Sequence, residues 1–290
     1  MAHSKLGSHV SYDAKKGLIR CVEEAFSYGG NTFMFYTGAP QNTIRSAINQ
    51  QTTKEAHELM IKYNINKEDV LAHAPYLINL ANPKLMDFSI SFLVGEMKRC
   101  NELSINYLII HPGSHVGLGI QEGIKNIVFA LNKVFEKSDN KIMILLESMS
   151  GKGSEIGSNF LELKQIIDGI TQKNRIGICL DTCHLNDSGY DLTNFDQVLD
   201  EFDKIIGLDK LKCLHLNDSK NPLASKKDRH ENIGYGTIGF KNLISILNNE
   251  RIKHVPKILE TPYINDKPPY KAEIDMLKSK IFNEKLKDNE

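Results

Sequence analysis

The sequence predicts an α/β chain closed into a single (β/α)8, or TIM, barrel, and three observations predict it. Eight short apolar runs alternate with helix-like stretches from one end of the chain to the other. Strict alternation of this kind calls for parallel strands joined by right-handed crossovers, and eight such units close on themselves. The runs recur about every 35 residues, the size of a βα unit, without the self-similarity of a solenoid. The 290 residues exceed one average domain but fit a barrel of roughly 250 residues with loop insertions, and no linker divides them. The expected organisation is one domain over 1–290, with a charged, frayed tail at 283–290.

Taken in order, the expected strands are 6–10, 32–36, 70–73, 107–111, 142–147, 176–181, 211–216 and 256–260. Each is a short apolar run suited to a strand covered on both faces. Residues 176–181 show the pattern well: Ile176, Ile178 and Leu180 are separated only by small Gly177 and Cys179. Helices are expected at 16–28, 53–63, 83–103, 120–135, 159–170, 194–206, 238–247 and 270–282. Asn82 before Pro83, and Ser158 and Thr193, are the expected helix N-caps.

Composition narrows the function. Apolar content of 41% and charged content of 25% describe an ordinary globular protein. No apolar stretch reaches the roughly 20 residues of a spanning helix, and MAHSKLGSHV lacks the apolar core of a signal peptide, so a cytoplasmic protein is expected. With 36 basic and 36 acidic residues there is no overall basic signal for nucleic acid. Carboxylates neutralised by divalent ions could still leave one face positive. The five cysteines are odd in number and scattered, which reads as reduced packing residues; Cys179 and Cys183 lack the CxxC spacing of a zinc knuckle.

The chemistry of such a barrel collects at the C-terminal ends of its strands. There the sequence places His73, His111, Glu147, Asp181 with His184 three residues on, His215, and Glu260. Asp228 and His230 follow in the long loop after the seventh strand. Taken singly, a capping Asp or a hydrogen-bonded strand-end His is the simpler reading. Six strand ends of this kind at once argue for a shared cause. Nine oxygen and nitrogen donors exceed one tetrahedral site and suit two or three adjacent Zn²⁺ or Mn²⁺ ions. A cluster of this size favours phosphoester hydrolysis, in which metal ions activate water and clamp the phosphate. A metal-dependent sugar isomerase or epimerase on the same barrel is the alternative, with fewer metals and more carboxylate ligands. A DNA-damage binding module without activity is the third reading.

HAPYLINLANP, HPGSH, the Glu147 segment, CLDTCH, HLND, DRHENIGYGTIG and ILETP occur here in the order and spacing of the endonuclease IV family of apurinic/apyrimidinic endonucleases. The resemblance runs from GSHVS to the last strand, and YTGAPQNT is similar to its bacterial branch. It implies a DNA-repair hydrolase of base excision repair with three zinc ions. The enzyme would cut the phosphodiester 5′ to an abasic site, leaving a 3′-hydroxyl and a 5′ deoxyribose phosphate, and would also remove 3′-blocking groups. By the same resemblance His73, His111 and Glu147 hold the first zinc and Glu147 bridges to the second. Asp181, His215 and Glu260 complete the second, and His184, Asp228 and His230 hold the third. Glu147, Asp181 and Glu260 are thereby the catalytic carboxylates. The partner would be double-stranded DNA met by a monomer.

The same resemblance makes Tyr76 and Leu77 the side chains that penetrate the duplex, with Gln41 in another groove-entering loop. Some relatives carry Arg where Gln41 stands, and an Asn, Thr and Ala segment where this chain has SMSGKGS. Lys152 in that segment is a candidate phosphate contact or a solvated loop residue. His9 and His115 match no family ligand and are expected to be supporting or structural.

Overall fold

Each barrel strand is short, three to six residues, and buried on both faces, because helices cover the outside and the inside is filled with side chains. The structure, a computed structural model, describes residues 4–288. The strands are β1 (Leu6–Val10), β2 (Thr32–Tyr36), β3 (Leu71–His73), β4 (Tyr107–Ile110), β5 (Met143–Glu147), β6 (Ile176–Asp181) and β7 (Leu211–His215). A two-residue antiparallel ladder follows, β8 (Asp218–Ser219) with β9 (His230–Glu231), and then β10 (Lys257–Leu259). Parallel pairing runs from β1 through β2 to β7, then to β10 and back to β1, which closes the barrel. All eight expected barrel strands are present within a residue at either end.

Helices α1 (Leu18–Ser27), α2 (Gln50–Lys62), α3 (Met86–Glu102), α4 (Ile120–Lys137) and α5 (Phe160–Gly169) cover the first five crossovers. They are followed by α6 (Thr182–Ser188), α7 (Phe195–Ile205), α8 (Phe240–Leu247) and α9 (Tyr270–Ser279). In α7 the buried residues are Phe195, Val198, Leu199 and Phe202, the i, i+3, i+4, i+7 stripe that seals a helix onto a sheet. No helix among the described residues is long and apolar enough to cross a membrane.

Several local expectations need correction. Ser158 does not cap α5: Asn159 does, its side chain accepting the Glu162 N–H. Thr193 lies inside a 3-10 turn capped by Asp191, and α7 begins after it. Asn82 does accept the Lys84 N–H, on a 3-10 turn that opens α3. Helix α6 was not expected, because seven residues are too few to show a helical period. Of the tail expected to fray, residues 289–290 lie outside the described residues. Within 283–288, Leu286 is buried, its N–H donates to the Tyr235 hydroxyl, and Lys287 pairs with Glu231 at 2.6 Å.

Inside the barrel the strands contribute Met34, Leu71, Ile109, Leu145, Cys179, Cys213 and Ile258 to one apolar cluster, every member 0% exposed. Because side chains alternate along a strand, the next residue on the same side lies two positions later. Those positions are Tyr36, His73, His111, Glu147, Asp181, His215 and Glu260. The apolar layer is thus a floor directly beneath a polar one. All five cysteines are free and buried, and two of them, Cys179 and Cys213, belong to that floor.

Candidate metal centre

The local geometry of each strand end aims its polar group inward and then holds it there. β6 ends on Asp181, whose backbone turns into α6; its Oδ1 accepts the His184 N–H at 2.9 Å and its Oδ2 accepts the Asn217 amide at 2.7 Å. Asp181 is therefore a helix cap and a candidate ligand at once. A register shift between Ile178 and Cys179 sits just below it, and bulges of this kind re-aim side chains at barrel rims. Asn217 also accepts the Glu260 N–H at 2.8 Å, so one buried amide orients two carboxylates.

Three of the histidines are oriented by backbone carbonyls. His73 donates Nδ1–H to Ala74 O (2.7 Å), His184 to Ser148 O (2.7 Å) and His230 to Glu260 O (3.1 Å). This fixes the tautomer and leaves Nε2 with a lone pair pointing into the centre. His215 is reversed. Its Nδ1 lies 3.0 Å from Glu147 Oε1 and 2.8 Å from Glu260 Oε2, while its Nε2, toward the floor, has no partner among the described residues.

Glu147 is the hub, 1% exposed and within 3.4 Å of four imidazoles: His73 at 3.0 Å, His111 at 3.2 Å, His215 at 3.0 Å and His184 at 3.4 Å. The donor atoms of His73, His111 and Glu147 lie within 4.8 Å of one another, and so do those of Glu147, Asp181, His215 and Glu260. Asp181, His184 and His230 form a third set. Asp228 joins it, with Oδ1 3.0 Å from His184 Nε2 and 3.7 Å from His230 Nε2. All nine expected ligands converge, and Asp181 stands between the second and third sets. Cys183 also lies near Asp228 and His230, and Cys179 and Cys213 near His215.

The donor set fits cations. Two lone-pair acceptors such as His73 Nε2 and Glu147 Oε2 cannot face each other at 3.0 Å unless a proton or a cation lies between them. Among the described residues, the ion pairs of the four carboxylates are with histidines. The protonation balance records the same tension. Burial pushes the Glu147 carboxyl upward, but His215 and His111 outweigh it and hold it well below the usual range. For His184, burial opposes the charged form, yet Asp181, Asp228 and Glu147 hold it well above its ordinary value. Divalent ions would compete with protons for these lone pairs, so metal binding here would release protons.

The remaining candidates divide. Tyr76 is 59% exposed, Leu77 is partly buried, and Gln41 lies exposed in the loop between β2 and α2. A cavity of about 470 Å³ beside the centre is lined by Tyr76, Asn79, His111, Met149, Lys152 and Asp228. Lys152 thus shares an opening with two candidate ligands. His115 does not: its Nδ1 accepts the Gly119 N–H at 3.1 Å, and it lines a separate hollow with Gln121 and Leu161. His9 packs edge-on to Tyr36 at 5.1 Å, and Tyr36 in turn packs on His73 at 5.3 Å. Sequence reasoning missed Tyr36 and Asn217. Two-residue spacing from Met34 could have found the first; the second, inside HLND, looked like loop.

Three comparisons bear on this geometry. The xylose isomerase-like TIM barrel family matches residues 22–280. A probable endonuclease 4 of Staphylococcus saprophyticus is 49% identical, covering 98% of each chain, and one of Bacillus licheniformis is 49% identical, covering 97% of each. The crystal structure of endonuclease IV from Thermus thermophilus superposes with a TM-score of 0.82 at 27% identity, covering 95% of this chain and 98% of that one.

Proposed function

The chain belongs to the endonuclease IV family of xylose isomerase-like TIM barrels, and from that premise we infer that it is an apurinic/apyrimidinic endonuclease of DNA repair. The observation that carries the reading furthest is the convergence of five imidazoles and four carboxylates, from six strand ends and one loop, around Glu147. Three Zn²⁺ ions, with Mn²⁺ an acceptable substitute by donor type, are the proposed cofactors. Bound there, they would supply an activated water and charge neutralisation for a scissile phosphodiester.

The chain's own residues do the rest. His73, His111 and Glu147 form the first ligand set; Glu147, Asp181, His215 and Glu260 the second; His184, Asp228 and His230 the third. Glu147 links the first two sets, and Asp181, Asn217 and Glu260 keep the second rigid through their mutual hydrogen bonds. The cavity beside the centre takes the extrahelical abasic sugar, which offers no base edge to read, so size exclusion and duplex deformability select it. Tyr76, which lines that cavity, and Leu77 next to it in the chain would fill the gap in the duplex. Gln41 approaches the groove from the neighbouring loop, and Lys152 meets a phosphate. Cleavage 5′ to the lesion, release of 3′-blocking groups, a single 1–290 domain and action as a monomer in the cytoplasm complete the proposal.

The isomerase alternative is weaker, because the near relatives are endonucleases and the histidine-rich rim exceeds what one or two sugar-binding metals need. The deciding experiment is incision of a duplex carrying one tetrahydrofuran abasic analogue, with product ends mapped and metal content measured. That analogue cannot undergo β-elimination. One cut 5′ to the lesion with a 3′-hydroxyl is expected, abolished by chelation and restored by Zn²⁺. No cut after metal is restored would overturn the reading.

A further inference from the structure

We propose that Asp187, which no resemblance or comparison assigns a role, is the positioning residue that assembles the third ligand set. The inference rests on the metal-centre reading above. Asp187 lies one turn after His184 on α6 and is 0% exposed. Its Oδ1 accepts from the Ser219 hydroxyl (2.6 Å) and the Asn186 amide (3.0 Å). Its Oδ2 accepts from the Asn221 amide (2.9 Å) and from the backbone N–H of Asp228 (2.9 Å), the candidate ligand itself. Its own carbonyl accepts the Lys226 N–H, and the carbonyl of Asn186 accepts the Ala224 N–H, both at 2.9 Å.

These bonds hold a loop that would not hold itself. Ala224, Lys226 and Asp228 all adopt left-handed backbone, at φ of 63°, 54° and 56°, a region that residues with a Cβ avoid. The end of α6 captures the loop at each of those three residues, and the last capture delivers Asp228 Oδ1 to within 3.0 Å of His184 Nε2. One short helix therefore supplies His184 and fixes the partner that faces it. Four donors converge on the Asp187 side chain, two per oxygen. An amide, with one oxygen and an NH₂ group, cannot receive them all.

The test uses Asp187→Asn in the full-length, metal-loaded protein, with wild type alongside. On challenge with a chelator, one of the three ions should leave the variant about 10–100-fold faster than from wild type, the usual cost of losing support behind a ligand. The other two should leave at wild-type rates. On abasic duplex kcat should fall while KM stays constant, and excess Zn²⁺ or Mn²⁺ should restore kcat. Asn221→Ala keeps Asp187 but removes the amide that shares Oδ2, and should speed loss of the same ion by a smaller factor. Wild-type retention of all three ions in both variants overturns the inference, as does a loss of kcat that excess metal does not restore. A wild-type protein that holds no metal would instead sink the functional reading beneath it.

Discussion

Two layers of the barrel interior, two residues apart on the same strands, behave as opposites. Below, Leu71, Ile109, Leu145, Cys179, Cys213 and Ile258 make a dry apolar floor. Above, His73, His111, Glu147, Asp181, His215 and Glu260 make a candidate metal centre. Backbone direction, pairing and burial are nearly shared, so the difference lies in the side chains alone. Packing sets the floor, where the side chains are apolar and shape matters most. Hydrogen bonding sets the rim, where Ala74, Ser148, Asn217 and the Glu260 carbonyl aim His73, His184, Asp181 with Glu260, and His230.

Substitution in the rim should cost the most activity. Glu147→Gln removes the group that four histidines face, and incision of abasic duplex should fall by more than about 10³-fold, the scale on which loss of core machinery is felt. The folded content by circular dichroism should stay that of wild type. Glu260→Gln should likewise lose most incision while remaining folded; full retained activity would break its assignment as a ligand.

Substitution in the floor should show the reverse. Leu145→Ala, two residues earlier on the same strand, should destabilise by about 2–5 kcal/mol in denaturant unfolding while metal content is retained. If that variant lost its metal in proportion, the two layers would not be separable.

A pH effect tests the support outside the barrel. Glu273 on α9 accepts from Thr261, Asn232 and the Ile233 N–H, and burial pushes its carboxyl up to about 7 against an ordinary 4.5. A raised carboxyl binds its proton more tightly when folded, so its contribution is complete below about 4.5 and is lost as pH rises through about 7. Across that window wild type should lose about 3 kcal/mol relative to Glu273→Gln. Parallel stability curves for the two proteins would remove Glu273 from the account.

The smallest effect concerns the opening. Lys152→Ala should raise KM for abasic duplex several-fold at constant kcat and lower the slope of log affinity against log salt by about 1. An unchanged salt slope would return Lys152 to the status of a solvated loop residue.

Much of this was legible beforehand. Eight apolar runs in strict alternation with helices are enough to specify the barrel, because parallel strands of that number have one common way to close. Strand-end position also exposed six of the nine ligand candidates, His73, His111, Glu147, Asp181, His215 and Glu260, since the last inward residue of a barrel strand has few places to go. His184, Asp228 and His230 lie beyond the strand ends, and their place in a ligand set rested on the family resemblance. Helix α6, the cap of α5 and the 3-10 turn ahead of α7 were not legible, because a seven-residue helix shows no period and neighbouring polar residues compete for one cap.

The sequence by itself determined the fold, through local periodicity, and the types and order of the candidate ligands, through the resemblance carried residue by residue. Only the tertiary structure decided that Glu147 faces four imidazoles, that Asp181 stands between two candidate ligand sets, and that Asn217 and Asp187 hold the carboxylates in place. The physical reason is that hydrogen bonds between residues 30 to 80 positions apart depend on which strand ends meet, and closure of the barrel alone decides that.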